Sequence, residues 1–555
     1  MRMIKKSFSN ITLPNVFIGV FAIVYFFTAV SFIFASGWLS CDVNGHACSM
    51  SILEYHAHDA FWHLAISEVS FQSFPPLHPV FAGEILTHYN YLFDFLIYLF
   101  SRFTGVSTLH SYFHVFPVLI AIFYVIAVWR IVKILCHDVW TKTFTALFLF
   151  LGNSFAFIMT YFTSGTLVGS SLKGFPLILS IQPTTMFLNN QFALSLPVIL
   201  ISILFINSKA VTRLIFRSTV LSILIVLLTL LKAYAGITLL IYSLCFYSLI
   251  FLKKPNAHSL VYICVSICSF IFVSLAFGGG KGVFSYDPLA FIRNLFDDPN
   301  HFFRVDIALA RVTLESSGRF SPRLVLLYGS GIFLFYLINF GSRITFLLQV
   351  LISIRKKLID PHIVSLLITI ISLSIVPMFF VQKGDFFNTM QFLYYGVFLS
   401  SLVAGSVYAS IKSNVVKMIC ITMVFITVCI PLVDQWTYAM RKESTIISPD
   451  FIQVSKILKN EPTGTVSLLG TAPPDARIAA FSGKQLTIGD LPVLTNTFVD
   501  YKNRLLSTIQ NKYSSFTDYI VVDKFLPYDW TIPLKGKSKI FENKSYILYK
   551  NAHHE

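Results

Sequence analysis

Runs of roughly 17 or more apolar residues recur along most of this 555-residue chain, and that recurrence limits the fold more than any motif does. A helix needs about 20 such residues to cross ~30 Å of hydrocarbon, and inside a bilayer every backbone N–H and C=O must be satisfied within the protein. With 55% hydrophobic and only 12% charged residues, the chain has too little polar surface for an ordinary soluble globule. The expected fold class is a polytopic α-helical membrane protein. The first run, 16–34, is too long for a signal-peptide core and no small-residue cleavage site follows it, so it reads as a retained anchor.

A formal charge of +16 would suggest nucleic acid in a soluble protein. Here Lys and Arg gather between the apolar runs, which is an orientation signal, and no nucleic-acid partner is expected. The clusters are Arg2/Lys5/Lys6, Arg130/Lys133/Lys142, Lys209/Arg213/Arg217, Lys253/Lys254, Arg343/Arg355/Lys356/Lys357 and Lys412/Lys417. About eleven crossings put all of them in the cytoplasm: 16–34, 113–135, 144–162, 186–206, 218–231, 237–252, 260–277, 324–340, 363–380, 392–408 and 415–433. The stretch 218–252 must then turn at "KAYAG", and the short apolar run 91–100 becomes a juxtamembrane helix on the outer surface.

Three segments are left outside: 37–112, 278–322 and everything after residue 433. The domains expected are a transmembrane domain, 1–433, and a small extracytoplasmic α/β domain, 434–555. In the latter, "YIVVD" and "SYILYK" read as strands and "PDFIQVSKILKN" as an amphipathic helix. Six of the eight cysteines sit in or beside apolar spans. Cys41 and Cys48 fall in the first outer loop, on an oxidising side, where a local disulfide is expected.

Polarity is concentrated just after the first apolar run, in "YHAHDAFWHLA". On a helix, Asp59 and His63 share one face. Solvation or helix capping suffices for His56 and His58, whereas an acid set among aromatic and apolar neighbours at a membrane interface is costly and usually functional. Prolines then shape "SFPPLHPVFAGEILTHYNYLFDF", which carries Glu84, His88, Tyr89 and Asn90.

The retained anchor, the long first outer loop opening with an Asp near a helix start, the Pro-rich bend leading to "HYNYLFDFL", the many spans and the outer C-terminal domain together resemble the GT-C superfamily of integral membrane glycosyltransferases. The resemblance covers the plan of the whole chain, with its motif content in 57–95. It implies transfer of a sugar from a polyprenyl-phosphate carrier, with inversion, to an acceptor glycan, lipid or protein at the outer face. It also places Asp59 where the family has its essential first-loop carboxylate. Many relatives pair two acids in this loop, and some bind a divalent cation (Mg or Mn) with them. Here His58 precedes Asp59, so a second carboxylate would have to come from Glu54, Glu68 or Glu84; no metal ligand is assigned.

On this reading Asp59, His63 and His88 form the catalytic group, Asp59 as general base or acceptor-orienting acid. His58, Glu84, Gln182, Asn190, Lys232, Tyr234, Lys383, Asn388 and Gln391 are candidate substrate contacts. The amides crowd "LSIQPTTMFLNNQFALSLP" and "FVQKGDFFNTMQFLYY", where sugar binding and interhelical hydrogen bonding are equally good explanations. Lys232 could hold a lipid phosphate or simply snorkel. Lys281, Arg293, Arg304, Arg311, Arg319 and Arg323 could neutralise phosphate or form a wet surface. A transporter or flippase is the main rival, disfavoured because the spans hold few central ionisable residues. A metal-dependent lipid-headgroup hydrolase would use His56, His58, Asp59 and His63, which need a bend to converge. No P-loop, Rossmann fingerprint or HExxH helix is present.

Overall fold

The computed structural model describes residues 13–34, 36–41, 48–169, 172, 175–208, 213–277, 284–299, 301, 304–318, 321–356, 360–383, 385–441, 444–469, 475–497, 499–509, 517–525, 534 and 537–551. Among these, nine helices are long and apolar enough to cross a membrane: Thr108–Leu135, Asn190–Asn207, Leu214–Leu231, Ala233–Lys253, Ala257–Leu275, Pro322–Arg355, Pro361–Phe379, Phe386–Ala409 and Asn414–Met440. Shorter apolar helices, Asn15–Ser31 and Val139–Leu151, occupy the two remaining expected positions. The protein is a multi-pass membrane protein. Arg2, Lys5, Lys6, Lys209, Lys281, Arg319 and Lys357, and the side chains of Glu54, His56 and Lys356, lie outside the described residues.

Two compact units emerge: Met1–Phe32, Val118–Ser274 and Gly282–Met440 form a helical unit, while Ile33–Pro117, Leu275–Lys281 and Arg441–Glu555 form the other.

In the helical unit, Leu214–Leu231 and Ala233–Lys253 meet at Lys232, whose extended backbone is the whole turn between them. The expected crossing at 144–162 is not one continuous helix. It stops at Leu151 and resumes as Ala156–Ser164. Broken helix ends strand carbonyls that hydrocarbon cannot hydrate, and the Arg343 side chain, 0% exposed, reaches into this break at the Asn153 carbonyl. Its guanidinium donates to Gln182 Oε1 at 2.7 Å, to the Phe340 carbonyl at 3.3 Å and to the Asn153 carbonyl at 3.5 Å. A Cβ on Gly152 would lie 2.6 Å from Arg343 Nη1, so glycine is required there. Arg343 is thus a buried internal donor.

Three of the loop arginines of this unit are paired with acids. Arg311 meets Asp297 at 2.6 Å and Glu315 at 2.7 Å, Arg304 meets Asp306 at 2.7 Å, and Arg293 meets Asp287. The strand Phe284–Tyr286 pairs antiparallel with Phe380–Gln382.

In the second unit, β1 (Trp38–Cys41) and β2 (Cys48–Leu53) form a hairpin whose register sets Cys41 opposite Cys48, and the expected disulfide joins them. The helix α1 (Glu54–Val69) follows β2 directly, and α2 (Leu92–Thr104) follows the Pro-rich loop. The strand β3 (Ser444–Ile447) pairs with the free edge of β2. The C-terminal segment then supplies α3 (Pro449–Asn460), β4 (Thr465–Leu469), β5 (Gln485–Leu486), α4 (Leu491–Asn496), β6 (Tyr519–Asp523), β7 (Lys537–Glu542) and β8 (Tyr546–Asn551). Its mixed sheet runs β5-β4-β6-β8-β7, with β4 parallel to β5 and β6 and the β6-β8-β7 pairs antiparallel. Leu469, Ile520 and Val522 make its apolar core.

The Pro-rich loop is held along β5. The amides of Leu486 and Gly489 donate to the carbonyls of Pro79 and Val80, each at 2.9 Å. Gln485 Nε2 donates to the His78 carbonyl at 2.8 Å. Arg504 lies 3.8 Å over the Phe81 ring and donates to the Ala82 carbonyl at 2.6 Å. Backbone polar groups of a loop that leaves regular structure need such partners.

Candidate active site

On α1 the four-residue spacing brings His63 Nε2 to 3.5 Å from Asp59 Oδ2. The other ring nitrogen, Nδ1, stands 2.9 Å from Asp94 Oδ1 in the first turn of α2. The His63 and Asp94 side chains are 0% exposed, whereas Asp59 is 40% exposed. A carboxylate in the first turn of a helix is favoured by the macrodipole. Ser67 Oγ fixes the crossing of the two helices by donating to the His63 carbonyl at 2.9 Å and to the Asp94 carbonyl at 3.3 Å.

Aromatic rings enclose the imidazole. Tyr112 stacks on His63 with centroids 6.0 Å apart, and Tyr89 lies 6.2 Å away. Tyr89 is itself set edge-on to Trp62 at 5.3 Å. His88 sits in the turn before α2 with a left-handed backbone, φ +59°, a region that His visits more readily than most side chains.

Burial by itself would lower the His63 pKa, but the charges of Asp94 and Asp59, with the hydrogen bond to Asp94 and the close contact with Asp59, carry it up to about 10. Burial, with the same two carboxylates, raises the Tyr89 phenol well above its ordinary value, so it stays neutral.

His58 points away from this group. Its Nε2 is hydrogen-bonded to Asp490 Oδ1 at 3.2 Å and lies 3.1 Å from Oδ2, and that hydrogen bond first of all raises its pKa to about 9, against the opposing effect of burial. Asp490, 1% exposed, has φ +47° and caps α4 through the Val493 amide.

Of the carboxylates considered as partners for Asp59, Glu68 accepts from Thr108 Oγ1 and faces Lys459 Nζ at 3.3 Å, and Glu84 is exposed on the Pro-rich loop. The second carboxylate brought to the site is Asp94. Its sequence signal is an acid inside the apolar run "HYNYLFDF", the same costly placement that marks Asp59. Asp490 had no comparable signal, being brought to His58 across more than 400 residues of chain.

The remaining expected contacts belong to the helical unit. Gln182 is buried between Arg343 and the Tyr394 carbonyl, to which its Nε2 donates. Asn190 is buried in the first turn of its helix. Tyr234 donates to Gln382 Oε1 at 2.5 Å. Gln391 Nε2 donates to Asn388 Oδ1 at 2.8 Å, and Lys383 is exposed. A cavity of about 400 Å³ in this unit, lined by Leu348, Leu351, Ile352, Arg355 and Tyr408 among others, contains no acid.

The described donors around Asp59 do not suit a divalent cation. Both His63 nitrogens already face carboxylates, Asp94 is sealed from solvent, and the described residues hold no group of three or more His, Cys, Asp or Glu side chains arranged for a metal.

No family model and no curated protein matches the chain. Solved structures similar to it include the oligosaccharyltransferase AglB from Archaeoglobus fulgidus in complex with an inhibitory peptide and a dolichol-phosphate: 11% identity, 92% of this chain, 69% of that one, TM-score 0.46. ArnT from Cupriavidus metallidurans bound to undecaprenyl phosphate is 9% identical over 97% of this chain and 98% of that one, TM-score 0.40. The arabinofuranosyltransferase AftD from Mycobacteria is 12% identical over 97% of this chain and 40% of that one, TM-score 0.46.

Proposed function

We propose that the protein is a membrane glycosyltransferase that moves a sugar from a polyprenyl-phosphate carrier to an acceptor glycan, lipid or protein at the extracytoplasmic face, with its N-terminus cytoplasmic and the 434–555 segment outside. The observation that carries this reading is a half-exposed Asp59 fixed by a buried imidazole that a second carboxylate holds from behind, in a chain with nine described helices long and apolar enough to cross a membrane.

The acceptor's nucleophilic atom attacks the anomeric carbon. The bond from that carbon to the phosphate oxygen breaks, the acceptor loses its proton to Asp59, and the polyprenyl phosphate leaves with the electron pair. An aspartate beside a cation is a weak base but stays ionised. It therefore accepts the proton late, when attack has made the acceptor proton acidic. His63 and Asp94 keep Asp59 in place through this step, and Tyr89 remains a neutral hydroxyl nearby. His58, half in solvent and charged through Asp490, is a cation available to a phosphate oxygen.

The hydrolase alternative loses support from the same geometry, since His58 turns to Asp490 while His63 turns to Asp59 and Asp94. Incubating purified protein with a panel of polyprenyl-phosphate sugars and measuring label transfer tests the proposal. Transfer by the wild type and its loss in Asp59→Asn are expected, and full transfer by Asp59→Asn overturns the role of Asp59.

A further inference from the structure

His63 has a carboxylate at each ring nitrogen: Asp94 Oδ1 at 2.9 Å from Nδ1 and Asp59 Oδ2 at 3.5 Å from Nε2. A neutral imidazole has one N–H and one lone pair. If Nδ1 carried the only proton, the lone pair of Nε2 would face the lone pairs of Asp59; if Nε2 carried it, the buried Asp94 would be left facing a lone pair. Only the imidazolium offers an N–H to both.

We propose that His63 is the built-in cation of this site, a doubly protonated imidazole locked between Asp94 and Asp59, which holds Asp59 ionised and aimed without a bound metal ion. His63 is a positioning residue, and the inference rests on the reading of Asp59 as the site's acid. Among the described residues, the charged and titratable groups facing it are Asp59 from its own helix, Asp94 from α2, Tyr89 from the intervening loop and Tyr112 from the helix that follows. Tyr89 stays a neutral phenol, so one cation serves the two carboxylates and the three groups keep one net negative charge, carried toward solvent by Asp59. A divalent ion would have to displace the imidazolium and would still meet an Asp94 that solvent does not reach. The buried pair is costly to desolvate and holds together only while complete.

The deciding measurement is nitrogen NMR on the full-length protein in lipid, labelled with [15N]histidine. The background is His58→Gln, because the Asp490 partner also favours a charged His58. The spectrum is followed from pH 6 to 9 with and without EDTA, and the Asp59→Asn spectrum assigns His63. Asp59 is partly exposed, so this variant is expected to fold.

The expected result is one imidazole with both nitrogens protonated up to pH 9, insensitive to EDTA, whose resonances shift in Asp59→Asn. A His63 that is neutral at pH 7, or whose signals move when metal is removed, overturns the inference. A parallel arm compares transfer from the polyprenyl-phosphate sugar panel by His63→Lys and His63→Gln. Lysine restores a cation and should retain more activity than glutamine, and equal loss in both counts against the charge as the operative property. If no sugar in the panel is transferred even by the wild type, the transferase reading fails, while the nitrogen spectrum still decides the state of His63.

Discussion

His63 Nδ1 and Asp94 Oδ1 are 2.9 Å apart, and neither side chain reaches solvent. A buried ion pair of this kind is costly to assemble and costlier to break, because removing one member leaves the other charged in a medium that cannot hydrate it. Asp94→Ala should therefore destabilise the unit that carries α1 and α2 by about 3 kcal/mol. Thermal unfolding in detergent, read by fluorescence, checks this. An unchanged midpoint would mean the pair contributes nothing to the fold.

Stability should also depend on pH through three histidines. His63 is raised to about 10 by burial's being overcome by Asp94 and Asp59, so its contribution is complete below the ordinary value near 6.5 and is lost as pH rises through about 10. His58, raised to about 9 chiefly by its hydrogen bond to Asp490, acts in the same direction but more weakly, since 60% of its side chain is exposed. His78 has the opposite sign. Burial lowers it to about 3, so its contribution is present above about 6.5 and lost as pH falls through about 3. Midpoints measured from pH 4 to 10 should peak near neutrality, with the alkaline decline flattened in Asp59→Asn and the acid decline flattened in His78→Gln.

Much of the fold could be read in the sequence because the bilayer simplifies the code. Apolar run length located eleven helices, and period-two and period-3.6 patterns located β6, β8 and α3. The break at Gly152 was hidden, because the residues on both sides are apolar and the group that completes it, Arg343, is 191 residues away in sequence. Its charge suggested a cytoplasmic loop, and only tertiary packing shows the guanidinium donating to the Phe340 carbonyl at the end of the preceding helix and to the Asn153 carbonyl in the break. In the site, Asp59 and His63 were legible as a helical pair. Asp94 stands out as an acid in an apolar run, but its pairing with His63 is not legible, since nothing local links residues 63 and 94.

Arg343→Met should cost about 3 kcal/mol, because the methionine fills the volume but strands Gln182 Oε1 and the Phe340 carbonyl in a buried setting. Arg343→Lys keeps the charge but not the planar fork and should fall between the two. Melting of the purified protein by size-exclusion chromatography after heating reads both variants. A wild-type midpoint for Arg343→Met would contradict the role of Arg343 in the break.

The Cys41–Cys48 bridge closes a short loop at the end of the β1–β2 hairpin. Loop-closure entropy for so few residues gives about 2 kcal/mol. Replacing both cysteines by serine should lower the melting temperature modestly and leave the His63 resonances in place, since α1 is anchored to α2 independently through Ser67. A shift of those resonances would show that the hairpin sets the position of α1.

The most direct test of the central claim compares sugar transfer from polyprenyl-phosphate donors by the wild type and Asp59→Asn, each with and without EDTA, with folding of both verified. Transfer by the wild type that survives EDTA and falls at least a hundredfold in Asp59→Asn, the scale of a lost general base, is the expected result. Undiminished transfer by Asp59→Asn would remove the carboxylate from the chemistry, and abolition of wild-type transfer by EDTA would contradict a site whose cation is His63.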